Sequence, residues 1–275
     1  MKKIYTLLLA FLFSVVSSQD LHKLAQEITE EGITLYRSEM ASWYGSDVFV
    51  ENYKQKENIA GYFSYIDGNV PKCVFFSKDR KVIGTISFPT SYNPKDAKLD
   101  LTERTFTPTE TKYFDIRQKA LNRINSDPVF KRFNNANFNI VPIVTKEEQK
   151  VYVITGTNVD NVVLFGNDYL ISFDKTNEIS KVQPLHKSLL PQNIIDEKVG
   201  KTISGIHSHI LDDWQFMTPT DICTLMLYQK FTDWESYTVI SKEFTSSWNA
   251  QSNFLTITKT DLDHRTNEVQ ETKKD

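Results

Sequence analysis

From Leu21 to Met40 apolar positions recur at helical spacing, with Leu24, Ile28 and Leu35 on one stripe and Ala25 and Ile33 beside it, among charged residues. A period near 3.6 predicts an amphipathic helix, interrupted or ended around Gly32, because glycine is a poor interior helix residue. The run GYFSYIDGNVPKCVFFSKDRKVIGTISFP (61–89) then clusters aromatic and β-branched residues around IDGN and SKDRK, which predicts strands joined by turns. Helical spacing returns from Thr109 to Phe133, with Phe114, Ile116, Ala120, Leu121 and Ile124 on one side. NFNIVPIV, the turn TKEEQK and VYVITG form a second strand-rich block.

The third block, NVVLFGNDYLISFDKTNEISKVQPLH (161–186), predicts two strands joined at DKTNE, with a loop or short helix over 188–200. KTISGIHSH (201–209) reads as a short strand, PTDICTLMLYQK (219–230) as an apolar helix, and YTVISKEF and NFLTITKT as two more strands. That order of hairpin, loop, strand, helix, strand, strand implies helices packed on a sheet, an α/β (α+β) architecture. The length after residue 18 exceeds one usual domain and predicts two, 19–145 and 146–262, with a charged tail over 263–275.

Lys2 and Lys3 precede an apolar run from Ile4 to Val16 and the small residues Ser17 and Ser18, the pattern of a signal peptide over 1–18. The run is too short for a bilayer, which needs about 20 residues, so the expectation is an exported protein, periplasmic or secreted, with no membrane span. The 32 basic and 35 acidic residues are interspersed, with a net charge of −3, which excludes the electrostatic footprint of a nucleic-acid binder. Cys73 and Cys223 are too few for a disulfide framework; either two buried thiols or one bridge fits, and the apolar helix around Cys223 favours thiols. Oligomeric state has no signature in the chain.

The chemistry concentrates in GIHSHILDDWQFMTPTD (205–221). On a strand His207 and His209 face the same way, and two imidazoles on one face can share an ion such as Zn²⁺. Thr218 followed by Pro219 reads as a helix cap, which places Asp221 in the first turn, at the positive end of the helix dipole, as the natural third ligand. Each half of the motif also has a purely structural explanation: histidine pairs occur on strands without metal, and Thr-Pro-Thr-Asp is close to a capping box. Their joint occurrence favours metal.

HSH, eight residues, then TPTD, between a short strand and an apolar helix, resembles the signature of the JAMM (JAB1/MPN, Mov34) metalloproteases over roughly residues 150–260. The resemblance implies a zinc hydrolase of peptide or isopeptide bonds with His207, His209 and Asp221 as metal ligands. It also implies Thr218 as donor to the developing oxyanion and a carboxylate upstream as general base. The chain departs from the pattern in a loop one residue longer, Ile210 in place of proline, Thr218 in place of serine, and no glutamate at the upstream position. Of Gly166, Asn167 and Asp168 there, only Asp168 carries a carboxylate, so Asp168 takes the base role, with Glu178 and Asp160 as weaker candidates. A catalytically inactive relative that binds a peptide or protein, and a binding protein without metal, remain open. His186 reads as a core or surface histidine ahead of a ligand's hydrogen-bond partner. Trp214 and Phe216 read as core or as a wall of the site, Asp212 and Asp213 as solvated loop, and Glu39, Trp43, Tyr44 and Asp47 as a helix end packed on a sheet.

Overall fold

The computed structural model describes residues 18–196 and 200–260; the predicted leader, Ser18 apart, and the charged tail with His264 lie outside them. The chain opens with α1 (Ser18–Asn52), followed by β1 (Ile59–Asp67), β2 (Val70–Ser77), β3 (Val82–Ser87), β4 (Lys98–Asp100) and α2 (Pro108–Ser126). Then come β5 (Ala136–Val144), β6 (Gln149–Thr157), β7 (Val162–Gly166), β8 (Tyr169–Phe173), β9 (Ile179–Pro184), β10 (Leu189–Asn193), β11 (Ile195–Asp196) and β12 (Gly200–Lys201). β13 (Ser204–Ser208), α3 (Pro219–Tyr228), β14 (Ser236–Ile240), β15 (Phe244–Asn249) and β16 (Phe254–Lys259) complete it. Three four-stranded sheets result, in orders β1-β2-β3-β4, β5-β6-β8-β9 and β13-β14-β15-β16, with β7 and β10 paired beside them. The architecture is α+β; β13 and β14 pair in parallel and the other strand pairs are antiparallel. No helix among the described residues is long and apolar enough to cross a membrane.

α1 is the spine. It runs unbroken through Gly32, contrary to the expected break, because that residue marks a close helix crossing. A Cβ there would stand 2.7 Å from Ile222 Cβ and Cγ2 and 3.1 Å from the Pro219 carbonyl oxygen on α3. Leu21 and Ala25 at its start enter one core with α3 and the β13–β16 sheet, built around Trp248 and Tyr237. Leu35, Ala41 and Phe49 enter another with Cys73 and Ile86 of the first sheet, Val141 and Ile154 of the second, and Cys223 and Leu227 of α3. Full burial of side chains of this size contributes about 1.5–3 kcal/mol each.

That second core joins residues from both sides of position 145. Residue 145 itself lies in the turn between β5 and β6, whose nine paired positions carry the second sheet across the expected domain boundary. The strand content is also higher than the pattern suggested: 161–186 makes three strands, 188–200 contributes β10 and β11 where a loop or helix was expected, and FTSSWN adds β15. Both cysteines are buried free thiols.

α2 shows how strongly a local signal can set an element. Thr107 and Glu110 form a reciprocal capping box with Pro108 in the first turn. Glu110 is buried and receives two bonds from Arg104, Nη1 to Oε2 at 2.6 Å and Nη2 to Oε1 at 2.7 Å. Burial alone would raise its carboxyl, but the Arg104 and Thr107 bonds outweigh that and hold it below its ordinary value. A depressed carboxyl stabilises the fold fully above its unfolded value of about 4.3, and the contribution is lost as pH falls through the folded value. Glu110→Gln is therefore expected to cost about 2 kcal/mol at pH 7 in urea denaturation. The gap between variant and wild type should narrow at pH 3; an equal gap at both would refute this role.

Candidate metal centre

Four side chains from four places in the chain converge: His186 after β9, His207 on β13, His209 just past it, and Asp221 in the first turn of α3. One donor atom from each lies within 4.8 Å of the others, and all four residues are buried. His207 Nε2 stands 3.0 Å from His209 Nε2 and 3.7 Å from Asp221 Oδ1, while His209 Nε2 is 3.5 Å from Asp221 Oδ2. Donors held about 2.0–2.2 Å from one tetrahedral centre stand about 3.3–3.6 Å apart, so these separations bracket those of a bound divalent ion.

The surroundings prepare the donors. His209 Nδ1 must donate to the Phe216 carbonyl at 2.7 Å, which leaves the Nε2 of the neutral ring with its lone pair toward the cluster. His207 Nδ1 is 3.1 Å from the Tyr237 hydroxyl, which in turn accepts from Gln192 Nε2 at 2.6 Å. Bonds of this kind behind a ligating imidazole fix its tautomer and ring orientation. Burial pulls His207 down to about 4 and also lowers His209, so both rings are neutral at pH 7. Burial alone would raise Asp221, but the three histidines hold it well below the carboxylate range. Neutral imidazoles beside an ionised carboxylate are the protonation states that metal binding requires.

Thr218, Pro219 and Asp221 form the expected cap. Thr218 Oγ1 accepts from the Asp221 N–H at 3.2 Å, while the Thr218 N–H donates to Asp221 Oδ2 at 2.8 Å. The hydroxyl of Thr218 also donates to Asp221 Oδ2, at 2.8 Å, and the residue is buried. Its proton thus points at the carboxylate and helps to hold Asp221, the opposite direction to the oxyanion role expected of it.

Asp168 is held by a tight connection in which Gly166 and Asn167 have φ of 78° and 57°, values that glycine and asparagine tolerate. A Cβ on Gly166 would sit 2.2 Å from the Ser188 carbonyl oxygen, so the segment leading into β10 closes directly over this turn. Asp168 Oδ1 accepts from the Thr155 N–H at 2.7 Å, and Oδ2 faces His186 Nδ1 at 3.7 Å. Burial raises its carboxyl to about 6. His186 stands between two carboxylates, with Nε2 3.1 Å from Asp221 Oδ1 and Nδ1 without a hydrogen bond. Burial pulls its ring down, but Asp221 and Asp168 outweigh this and raise it.

His186 is the member that the sequence reading ranked lowest. The remaining candidates lie elsewhere: Glu178 and Asp160 are exposed, Asp212 and Asp213 sit in the exposed loop before α3, and His22 is exposed. Trp214 and Phe216 pack against the cores, Phe216 with its ring 4.6 Å from that of Phe244.

The three histidines of the cluster line a cavity of about 330 Å³ together with Leu190, Ile206 and Ile210. That volume suits a small ligand or a short stretch of a larger one. Compared with known proteins, the chain matches no protein-family model, no curated protein and no solved structure. The geometry and chemistry of the four donors are what identify a site able to hold a metal ion.

Proposed function

We propose that the chain is an exported, zinc-dependent hydrolase of peptide or isopeptide bonds with a JAMM-like site. The observation that carries this reading is the convergence of His207 Nε2, His209 Nε2 and an Asp221 carboxylate at 3.0–3.7 Å, beside a cavity that the two histidines line. Two neutral imidazoles and one carboxylate suit zinc, and the basic and apolar leader of residues 2–16 supports export. When bound, the ion supplies Lewis acidity toward a carbonyl oxygen and lowers the pKa of a coordinated water toward neutrality.

The protein's own residues divide the rest of the work. His207, His209 and Asp221 hold the ion, the last fixed by the Thr218 cap. His186 lines the cavity, and because the ionised Asp221 carboxylate can only accept, its Nε2–H donates to Asp221 Oδ1 at 3.1 Å, so Nε2 is the proton donor of the site and the base role stays with Asp168. Asp168 Oδ2 lies 3.7 Å from Nδ1 of the same ring, so its charge acts on that imidazole without a hydrogen bond, and a proton taken up by Asp168 has a short path back to the ring. His186 Nε2 then delivers the proton to the leaving amine. The burial of the cluster limits bulk water around that transfer.

One observation favours a second reading. Counted with His186, the cluster offers four donors, a complete tetrahedral set, and a site so closed would have no position for substrate. The protein would then be an inert, metal-stabilised module that binds a peptide or protein. His186→Gln separates the two. For the hydrolase, zinc stays near one per chain by plasma emission while turnover of a fluorogenic peptide library falls by about 10²-fold or more. For the inert module, wild type is inactive and zinc is lost with the substitution.

A further inference from the structure

We propose that a second cavity, at the opposite end of α3 from the metal cluster, is a binding site for a primary alkylammonium group. This cavity, about 320 Å³, lies where α1, β1, the β5–β6 hairpin and the end of α3 meet, and it shares no lining residue with the metal-site cavity. Five of its lining residues come from one face of α1 at 39, 42, 43, 46 and 47, the spacing of a helical stripe.

Glu39 is the reason to expect a cation. It is only 9% exposed, lines the cavity, and its one side-chain hydrogen bond among the described residues comes from Asn139 Nδ2 to Oε2 at 2.7 Å. Among the described residues no Lys, Arg or His pairs with it and none lines the cavity, whereas a second carboxylate, Asp47, does. A buried carboxylate without a counter-ion is costly, and burial raises this one to about 7; a bound ammonium would offset that cost directly.

The remaining walls fit the same ligand. Trp43, Tyr62 and Tyr228 present aromatic rings, which attract cations through their faces. The Trp43 ring already takes part in such a contact, with Lys230 Nζ 5.5 Å from its centroid. The amide nitrogens of Asn137 and Asn139 are committed to Asn158 Oδ1 and Glu39 Oε2, which leaves their amide oxygens as acceptors. An ammonium with three N–H donors can use such acceptors; a quaternary ammonium cannot.

Isothermal titration of the full chain tests the assignment, with 1,5-diaminopentane as free amine, a lysine-containing peptide as tethered amine, and 1-pentanol and the Nε-acetyl-lysine peptide as neutral controls. Saturable one-to-one binding tighter than about 10 mM is expected for at least one amine and for neither control. The stronger of the two arms tells whether a free amine or a lysine side chain is the source. Glu39→Gln, which keeps the shape and the Asn139 contact, is expected to weaken binding about tenfold or more. Trp43→Leu, at a half-exposed position tolerant of change, is expected to weaken it severalfold. Failure of both amines to saturate, equal binding by a control, or unchanged affinity in Glu39→Gln with melting temperature preserved would overturn the proposal.

Discussion

His207→Ala is expected to reduce bound zinc from about one ion per chain to background, a loss of affinity on the order of 10³-fold or more. The ring supplies one of three donors within 3.7 Å of each other, and its Nε2 is the nearest partner of His209 Nε2. Gln192 and Tyr237 lie behind the ring, on its Nδ1 side, and His186 Nε2 already has its own place in the cluster, bonded to Asp221. The loss also has a thermal signature. Zinc in excess over its dissociation constant by about 1,000-fold adds roughly 4 kcal/mol to wild-type stability, and that increment should vanish in the variant. Asp168→Asn reaches the site mainly through His186, with Thr220 as a second link to the Thr218 cap, so zinc affinity there should fall about 10- to 100-fold if His186 is a ligand, and less if it is a proton donor. Metal analysis with thermal shift reads both, and unaltered zinc uptake by His207→Ala would end the case for this centre.

Why three of the centre's four donors could be read from sequence and the fourth could not follows from how they are held. His207 and His209 owe their common face to strand periodicity, and Asp221 owes its place to a capping box, both of which are local rules. His186 has no such rule. It follows Pro184 and Leu185 at the end of β9, and it meets Asp168 and Asp221 only because Leu185 N–H bonds back to the Asp168 carbonyl at 2.8 Å and α3 packs alongside. The fold divides the same way. β1 to β3, the β5–β6 hairpin, α2 and α3 announce themselves by turn residues, period and caps. β15 is rich in Ser and Thr, and β10 carries Pro191 in a two-stranded ribbon, so neither has the apolar alternation that marks a strand. The expected boundary at 145 rested on length, whereas the shared core of Leu35, Ile154 and Cys223 is a tertiary fact.

Gly32 is where that tertiary packing meets the metal centre. Gly32→Val is expected to destabilise the fold by about 3 kcal/mol, because overpacking at a close helix crossing forces backbone to move. Glycine's ordinary cost in a helix interior, up to about 1 kcal/mol, works in the opposite direction and is the smaller effect. The atoms in the way are Ile222 Cβ and Cγ2 at 2.7 Å and the Pro219 carbonyl oxygen at 3.1 Å. Pro219 and Ile222 flank Asp221 in the first turn of α3, so any shift that relieves the clash carries the Asp221 carboxylate away from His207 and His209. Zinc affinity should fall with stability, by about tenfold or more. A double-mutant cycle isolates the cause: Ile222→Ala removes the Cγ2 methyl, so it should cost less in a Gly32→Ala background than alone, with a coupling of about 1 kcal/mol. Urea midpoints and zinc titrations of Gly32→Val and of the four proteins of the cycle measure both quantities. Additive stabilities, or a Gly32→Val protein that unfolds at the wild-type midpoint, would show that α3 does not hold the metal ligand through this crossing.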